Sequence, residues 1–334
     1  MKFGQPIPLC ISGTASIGPG RHVPTEAVVA AAYGVEDAEK FAQRVETIKR
    51  KTGINRRYYA GPDDTCASVG TEALRQALAT SGLRGEQLER LIFVSSGGGD
   101  LVFPATANLI CQALDIADTS DCFDINNACT GFLTALEIAA CGIAVGSGPV
   151  GIVVAEFASR NTSPTDPRPY LVFGDAVAAA VVEPATSGGI LASYLRNDGI
   201  TFGNVRMRNA VITGTTEKIQ FTDANSLIES QALEALAKCI DVVLEDAGLS
   251  LDAMDWVLPH QPNGILFDKI INEFKIPPAK VIPVAVDIGS TGAAAMPYSL
   301  DQLYRRREVR SGQKILLAGV GAGVSYGAMI YEVP

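Results

Sequence analysis

The sequence is poor in the residues that build metal centres and disulfide frameworks. It has two histidines, His22 and His260, and seven cysteines at 10, 66, 111, 122, 129, 141 and 239, none of them in a CxxC pair. An odd, scattered set of thiols with so few histidines argues against a zinc site and against a disulfide scaffold. Long apolar runs are missing too. No stretch reaches the roughly 18–20 residues of a membrane span, and the opening MKFGQPIPLCISGTASIGPG lacks the apolar core of a signal peptide. A soluble cytoplasmic protein with no membrane partner is expected. Positive charge is short as well: the net charge is −9, which disfavours nucleic acid as a partner. The one local exception is IKRKTGINRR, where Lys49, Arg50, Lys51, Arg56 and Arg57 cluster. It reads as a solvated helix end or as a site for a phosphate or an acidic partner.

What the chain does have is internal repetition. EALRQALATSGLRGEQLERLIFVSS, from Glu72, matches EALAKCIDVVLEDAGLSLDAMDWVLPHQ, from Glu234, as helix, Gly-Leu turn, short acidic helix and apolar strand. CFDINNACTG, with Asp124, then resembles AVDIGSTGAA, with Asp287. GPVGIVVAE pairs with GQKILLAGV, and FGDAVAAAVVE with GAGVSYGAMIYE, in the same order. The chain therefore reads as two similar α/β halves, 1–165 and 166–334, related by a pseudo-twofold axis near which corresponding loops meet.

Cys129 lies on one such loop and precedes the apolar run GFLTALEIAACGIAVG. If that run is a helix, the free N–H groups and the dipole at its start lower the thiol pKa and make the sulfur a nucleophile. A lone cysteine there also reads as a buried structural residue, as Cys10, Cys111, Cys141 and Cys239 do. His260, in WVLPHQPNG, ends a strand between Pro259 and Pro262, where it suits proton transfer or a structural hydrogen bond. His22, in GPGRHVPT, reads as structural. GVGAGVSYG, residues 319–327, is followed by a strand-like pattern and so fits a tight strand-to-strand turn, with backbone N–H groups for an oxyanion, better than a phosphate loop.

Taken together these segments resemble the thiolase-fold condensing enzymes, specifically the ketoacyl-ACP synthase III group, over nearly the whole length. RKTGINRRYYA is similar to that group's TGIxxR segment and VFPATANLICQALDI to its FPxxAxxxQxxLG segment. NNACTGFLTAL is similar to its nucleophile loop, VFGDAVAAAVV to FGDGAGA, LPHQPN to PHQAN, and GVGAGVSYG to GFGGGxxxG. The resemblance implies an α/β thiolase-like fold, Cys129 as acyl-accepting nucleophile and His260 as second catalytic residue. It implies an oxyanion hole from the backbone of Cys129 and of the turn Gly321, Ala322, Gly323. It places Phe103 at a homodimer interface beside the acyl pocket. It assigns Lys49, Arg50, Lys51, Arg56, Arg57 and Asn263 to CoA or carrier binding. Acyl-CoA or acyl carrier protein is then substrate and partner, with no cofactor and no metal.

The departures from the pattern carry information. Ser290, in GSTGAA, stands where the family has a catalytic asparagine in GNTSAA. Thr47 replaces a tryptophan that stacks on the CoA adenine, Ile265 a basic residue that meets the carrier, and Ala322 interrupts the last glycine run. Members lacking the asparagine include specialised synthases and acyltransferases of secondary metabolism. Three readings stay open: condensation with a carbon nucleophile, acyl transfer to oxygen or nitrogen, and a non-catalytic partner subunit.

Overall fold

The structure is a computed structural model, and it describes residues 5–35, 37–116, 118–199 and 203–334. In chain order its strands are β1 (Leu9–Ile17), β2 (Arg21–Pro24), β3 (Arg56–Tyr59), β4 (Arg90–Val94), β5 (Asp121–Ile125), β6 (Val150–Phe157) and β7 (Asp175–Pro184). They continue as β8 (Gly189–Asn197), β9 (Val205–Arg206), β10 (Gln220–Phe221), β11 (Trp256–Pro259), β12 (Lys314–Gly321) and β13 (Ser325–Glu332).

Two sheets dominate, ordered β1-β7-β6-β4-β5 and β8-β13-β12-β11. Each holds a parallel pair, β4 with β6 and β11 with β12, and each continues through an antiparallel pair, β6–β7 and β12–β13. The second order repeats the first with one strand fewer among the described residues. This is the duplication expected from the repeats, and it gives the thiolase-like α/β fold. The passage between sheets falls between Pro184 and Gly189, because β7 returns to pair with β6. The division expected at 165 is therefore displaced beyond β7.

Side-chain alternation builds the layers. In β4, Ile92 and Val94 point to one core while Leu91 and Phe93 point to another. In β12, Ile315 and Leu317 share the first of these cores, and Leu316 and Ala318 face a third. The shared core is filled by two central helices, Gly131–Ala144 through Phe132, Leu133 and Leu136, and Ala295–Arg306 through Met296, Leu300 and Leu303. Outer helices cover the far faces: Cys66–Ser81 and Thr106–Leu114 on the first sheet, Asn225–Ala247 and Gly264–Glu273 on the second. Burial on both sides explains why GFLTALEIAACGIA is apolar nearly all round, as a helix between two sheets must be. It explains equally why VGIVVAEF is buried at every position. Among the described residues no helix is long and apolar enough to cross a membrane.

Candidate active site

The site forms where loops of the two halves meet between the central helices. β5 ends at Ile125, and the chain turns through Asn126 and Asn127 into a 3-10 turn, Ala128–Thr130, that feeds the helix Gly131–Ala144. Cys129 is thus the middle of a tight turn at the helix start. Ala128 beside it has φ 45, a left-handed conformation that a non-glycine residue adopts only under constraint. The constraint is visible. The Ala128 N–H donates to Asn126 Oδ1 at 3.0 Å, and Thr130 Oγ1 donates to the Asn127 carbonyl at 2.8 Å. Ser325 Oγ, from β13 in the other half, donates to Asn127 Oδ1 at 2.8 Å and accepts from Asn197 Nδ2 at 3.0 Å.

The glycine-rich segment is a turn between antiparallel strands, with Gly321 paired to Ser325. It presses on the nucleophile turn so closely that a Cβ at Gly321 would lie 2.8 Å from the Cys129 nitrogen. The backbone N–H groups of Cys129 and Ala322 both face the sulfur and favour its anion. They do not prevail in the resting site. Burial, reinforced by the Glu156 carboxylate, pushes the Cys129 thiol up to about 12. The lowered pKa expected from the helix start is therefore corrected: desolvation of the thiolate outweighs the backbone dipoles.

His260 follows β11 and is fixed by its N–H, which donates to the Ala318 carbonyl of β12 at 2.8 Å, three residues before Gly321. It is 2% exposed, and its Nδ1 is sealed without a partner. Burial holds the imidazole neutral, pushed down to about 4. Its neighbour Gln261 locks the loop: Nε2 donates to Ile282 O and Ser299 Oγ, while Oε1 accepts from Val284 N and Ala285 N.

Ser290 is buried on a segment held by its backbone. Its N–H donates to Val172 O at 2.8 Å, and its carbonyl accepts from Gly174 N at 2.9 Å. The next turn, Gly292–Ala294, packs against Ala128–Thr130, and a Cβ on Gly131 would lie 3.5 Å from Ala293 Cβ. The turn bearing Cys129 therefore meets the Ser290 segment through Ala293, and meets through Gly321 the strand β12 to which His260 is tied.

The basic cluster divides. Arg57 is fully buried: Nη1 donates to Leu171 O at 2.8 Å and Nη2 to Thr25 Oγ1 at 2.9 Å. A surface ligand cannot reach it, so its assignment to CoA or carrier binding is corrected. In the short strand β3, Arg56 points out to an ion pair with Asp287 while Arg57 points in. Lys49 pairs with Glu26, whereas Arg50 and Lys51 are exposed. Their helix, Ala38–Thr52, ends at Gly53, which abuts Gly264 so tightly that a Cβ on either would clash. This sets Arg50 and Lys51 near Asn263, whose Oδ1 caps the helix Gly264–Glu273 by accepting from Leu266 N at 2.8 Å. Thr47 and Ile265 are half-buried on these two helices. Phe103 is 84% exposed beside the exposed Val102 and Leu101.

One charged group was not singled out from the sequence. Glu156 is buried at the end of β6 and touches the Ser290 segment through the Ala293 N–H. A lone acid in the apolar strand VGIVVAEF is the signal that could have found it. Among the described residues no cluster of three or more His, Cys, Asp or Glu could hold a metal ion.

Known proteins give this arrangement its family. Residues 123–199 match the family described as 3-Oxoacyl-[acyl-carrier-protein (ACP)] synthase III, and residues 244–333 match its C-terminal region. The beta-ketoacyl-[acyl-carrier-protein] synthase III of Neisseria meningitidis serogroup A is 30% identical over 96% of this chain and 98% of its own. The crystal structure of 3-oxoacyl-[acyl-carrier-protein] synthase III from Aquifex aeolicus superposes with a TM-score of 0.87 at 26% identity, covering 97% of this chain and 99% of that one. The priming beta-ketosynthase of the R1128 polyketide pathway superposes equally well, TM-score 0.87 at 26% identity over 100% and 98% of the two chains. With both halves matched and the convergent loops in place, the chain belongs to the 3-oxoacyl-[acyl-carrier-protein] synthase III family of thiolase-fold condensing enzymes.

Proposed function

We propose that this chain is an acyltransferase that loads an acyl group from a CoA or carrier-protein thioester onto Cys129 and passes it to a carbon nucleophile. The reaction is a Claisen-type condensation of fatty-acid or polyketide metabolism. The observation that carries the reading is the setting of the sulfur, faced by the N–H groups of Cys129 and Ala322 at the meeting of the two halves.

In the first half-reaction the sulfur attacks the thioester carbonyl, a new C–S bond forms, and the donor thiol leaves with the proton. The Cys129 N–H and the Gly321–Gly323 turn hold the developing oxyanion, a role in which one donor is worth about 10²–10³ in rate. In the second, a carbanion or enol carbon attacks the acyl-enzyme and the Cys129 sulfur leaves. His260, held neutral, offers one N–H and one lone pair. It can donate to an enolate oxygen or take a proton from the acceptor.

Ser290 favours a second reading. Its hydroxyl is shorter than the amide it replaces, and its backbone is tied to Val172 and Gly174 so that the loop does not advance. That supports transfer without decarboxylation, to oxygen or nitrogen. The test is discharge of the preformed acyl-enzyme by malonyl-CoA and by alcohol and amine acceptors. Condensation predicts a product with a new C–C bond; discharge only by the oxygen or nitrogen acceptors overturns it in favour of the second reading.

Arg50 and Lys51, exposed at the rim near Asn263, suit the phosphates of CoA or an acidic carrier. The exposed run Leu101, Val102, Phe103 suits burial in a homodimer. Light scattering should give a dimer, and Phe103→Asp should give a monomer; a monomeric parent protein refutes the assembly.

A further inference from the structure

Glu156 is a buried acid beside the nucleophile turn, and the reaction as written does not use it. It sits at 3% exposure among apolar neighbours on β6. Its Oε1 accepts three hydrogen bonds: from Ser96 N at 3.0 Å, Ser96 Oγ at 2.6 Å and Ala293 N at 3.2 Å. Among the described residues Oε2 accepts none and no cation pairs with the carboxylate. Ser96 belongs to the first half and Ala293 to the second, so the carboxylate is a clamp across the pseudo-twofold. The fit is close, since a Cβ on Gly292 would lie 3.1 Å from Glu156 Cδ.

The ionisable groups around it are few. Cys129 lies on the turn packed against Gly292–Ala294, Cys66 at the start of the helix Cys66–Ser81, and Asp175 on β7 beside Phe157. Asp175 takes its own hydrogen bonds from Ala60 N and from Ser159 N and Oγ. Arg160 acts on Asp175 and on Cys66. Burial raises Glu156 to about 7, and its charge in turn raises Cys129. The turn that Glu156 holds through Ala293 packs on the turn bearing Cys129, so the carboxylate's charge acts on the sulfur.

We propose that Glu156 is a positioning and charge-setting residue of this site: clamped between Ser96 and Ala293, its carboxylate is coupled through space to the Cys129 sulfur, so that the thiolate forms readily only while Glu156 is protonated. The site then carries one negative charge, on Glu156 in the resting enzyme and on sulfur when Cys129 attacks or leaves. The proposal rests on Cys129 as the reactive thiol, and its test reads that thiol without any acyl substrate.

The test is the pH dependence of Cys129 alkylation by iodoacetamide, located by peptide mass because seven cysteines are present. The logarithm of the parent rate should climb with pH, flatten near pH 7 as Glu156 ionises, then climb again. Glu156→Gln keeps an oxygen for Ser96 and Ala293 and removes the charge. Its profile should climb without a break and run about tenfold faster above the break, the ratio that one pKa unit carries. A parent profile of single slope through neutrality overturns the proposal, and that measurement stands even if the glutamine variant does not fold. So does a glutamine variant that folds and reproduces the parent break. A protein showing the break yet forming no acyl adduct would refute the proposed function and leave this coupling intact.

Discussion

Gly321→Ala tests the contact that joins the two halves at the nucleophile. Gly321 does not have positive φ, so alanine is compatible with its backbone and the effect is steric. The added Cβ would lie 2.8 Å from the Cys129 nitrogen, 3.1 Å from its Cβ and 3.3 Å from its Cα. None of these atoms is the end of a flexible side chain, so the turn must retreat by roughly half an ångström, and a displacement of that order at reacting atoms costs about tenfold to a hundredfold in rate. The same movement pulls the Cys129 N–H from the oxyanion position, a loss of up to about 10²–10³. Overpacking costs about 1–3 kcal/mol of stability, which leaves the protein folded. Single-turnover acylation by acyl-CoA, followed by intact mass, should slow by at least about thirtyfold while the circular dichroism spectrum is unchanged. Acylation within about threefold of the parent, in a folded variant, would refute the packing of the Gly321–Gly323 turn against Cys129.

Ser290→Asn restores an amide donor and should raise CO₂ release from malonyl-CoA by at least about tenfold; rapid release by the parent protein would remove the significance given to Ser290. Arg57→Ala should destabilise by at least about 2 kcal/mol, since it orphans the Leu171 carbonyl and the Thr25 hydroxyl and leaves a cavity. Lys51→Ala, on the exposed helix end, should change stability by less than about 0.5 kcal/mol and instead raise the KM for the acyl donor; urea unfolding and initial rates separate the two.

Much of the fold was legible because duplication writes itself twice. LIFVSS and WVLPHQ became β4 and β11, and GIVVAE and KILLAG became β6 and β12, in matching sheet positions. The placement of His260 was legible from Pro259 and Pro262, which end the strand. The division at 165 did not follow from these repeats, because FGDAVAAAVVE, matched to the last strand of the chain, lies beyond it and pairs back onto β6 as β7. Arg57 was misread because a run of positive charge hides a period of two; RRYY is a strand, and alternate residues face opposite ways. The thiol pKa was misread for a different reason. The helix start is local and visible, whereas burial under β12 and β13 and the charge of Glu156 come from segments that sequence spacing does not bring to Cys129.

The central claim is that Cys129 accepts the acyl group. Incubation with acyl-CoA and peptide mapping should place one acyl mass on the peptide containing Cys129, with none in Cys129→Ala and with Cys66, Cys111 and Cys122 unmodified. An acyl adduct that persists in Cys129→Ala, or a parent protein that stays unmodified by every acyl-CoA and acyl carrier protein offered, would contradict the account.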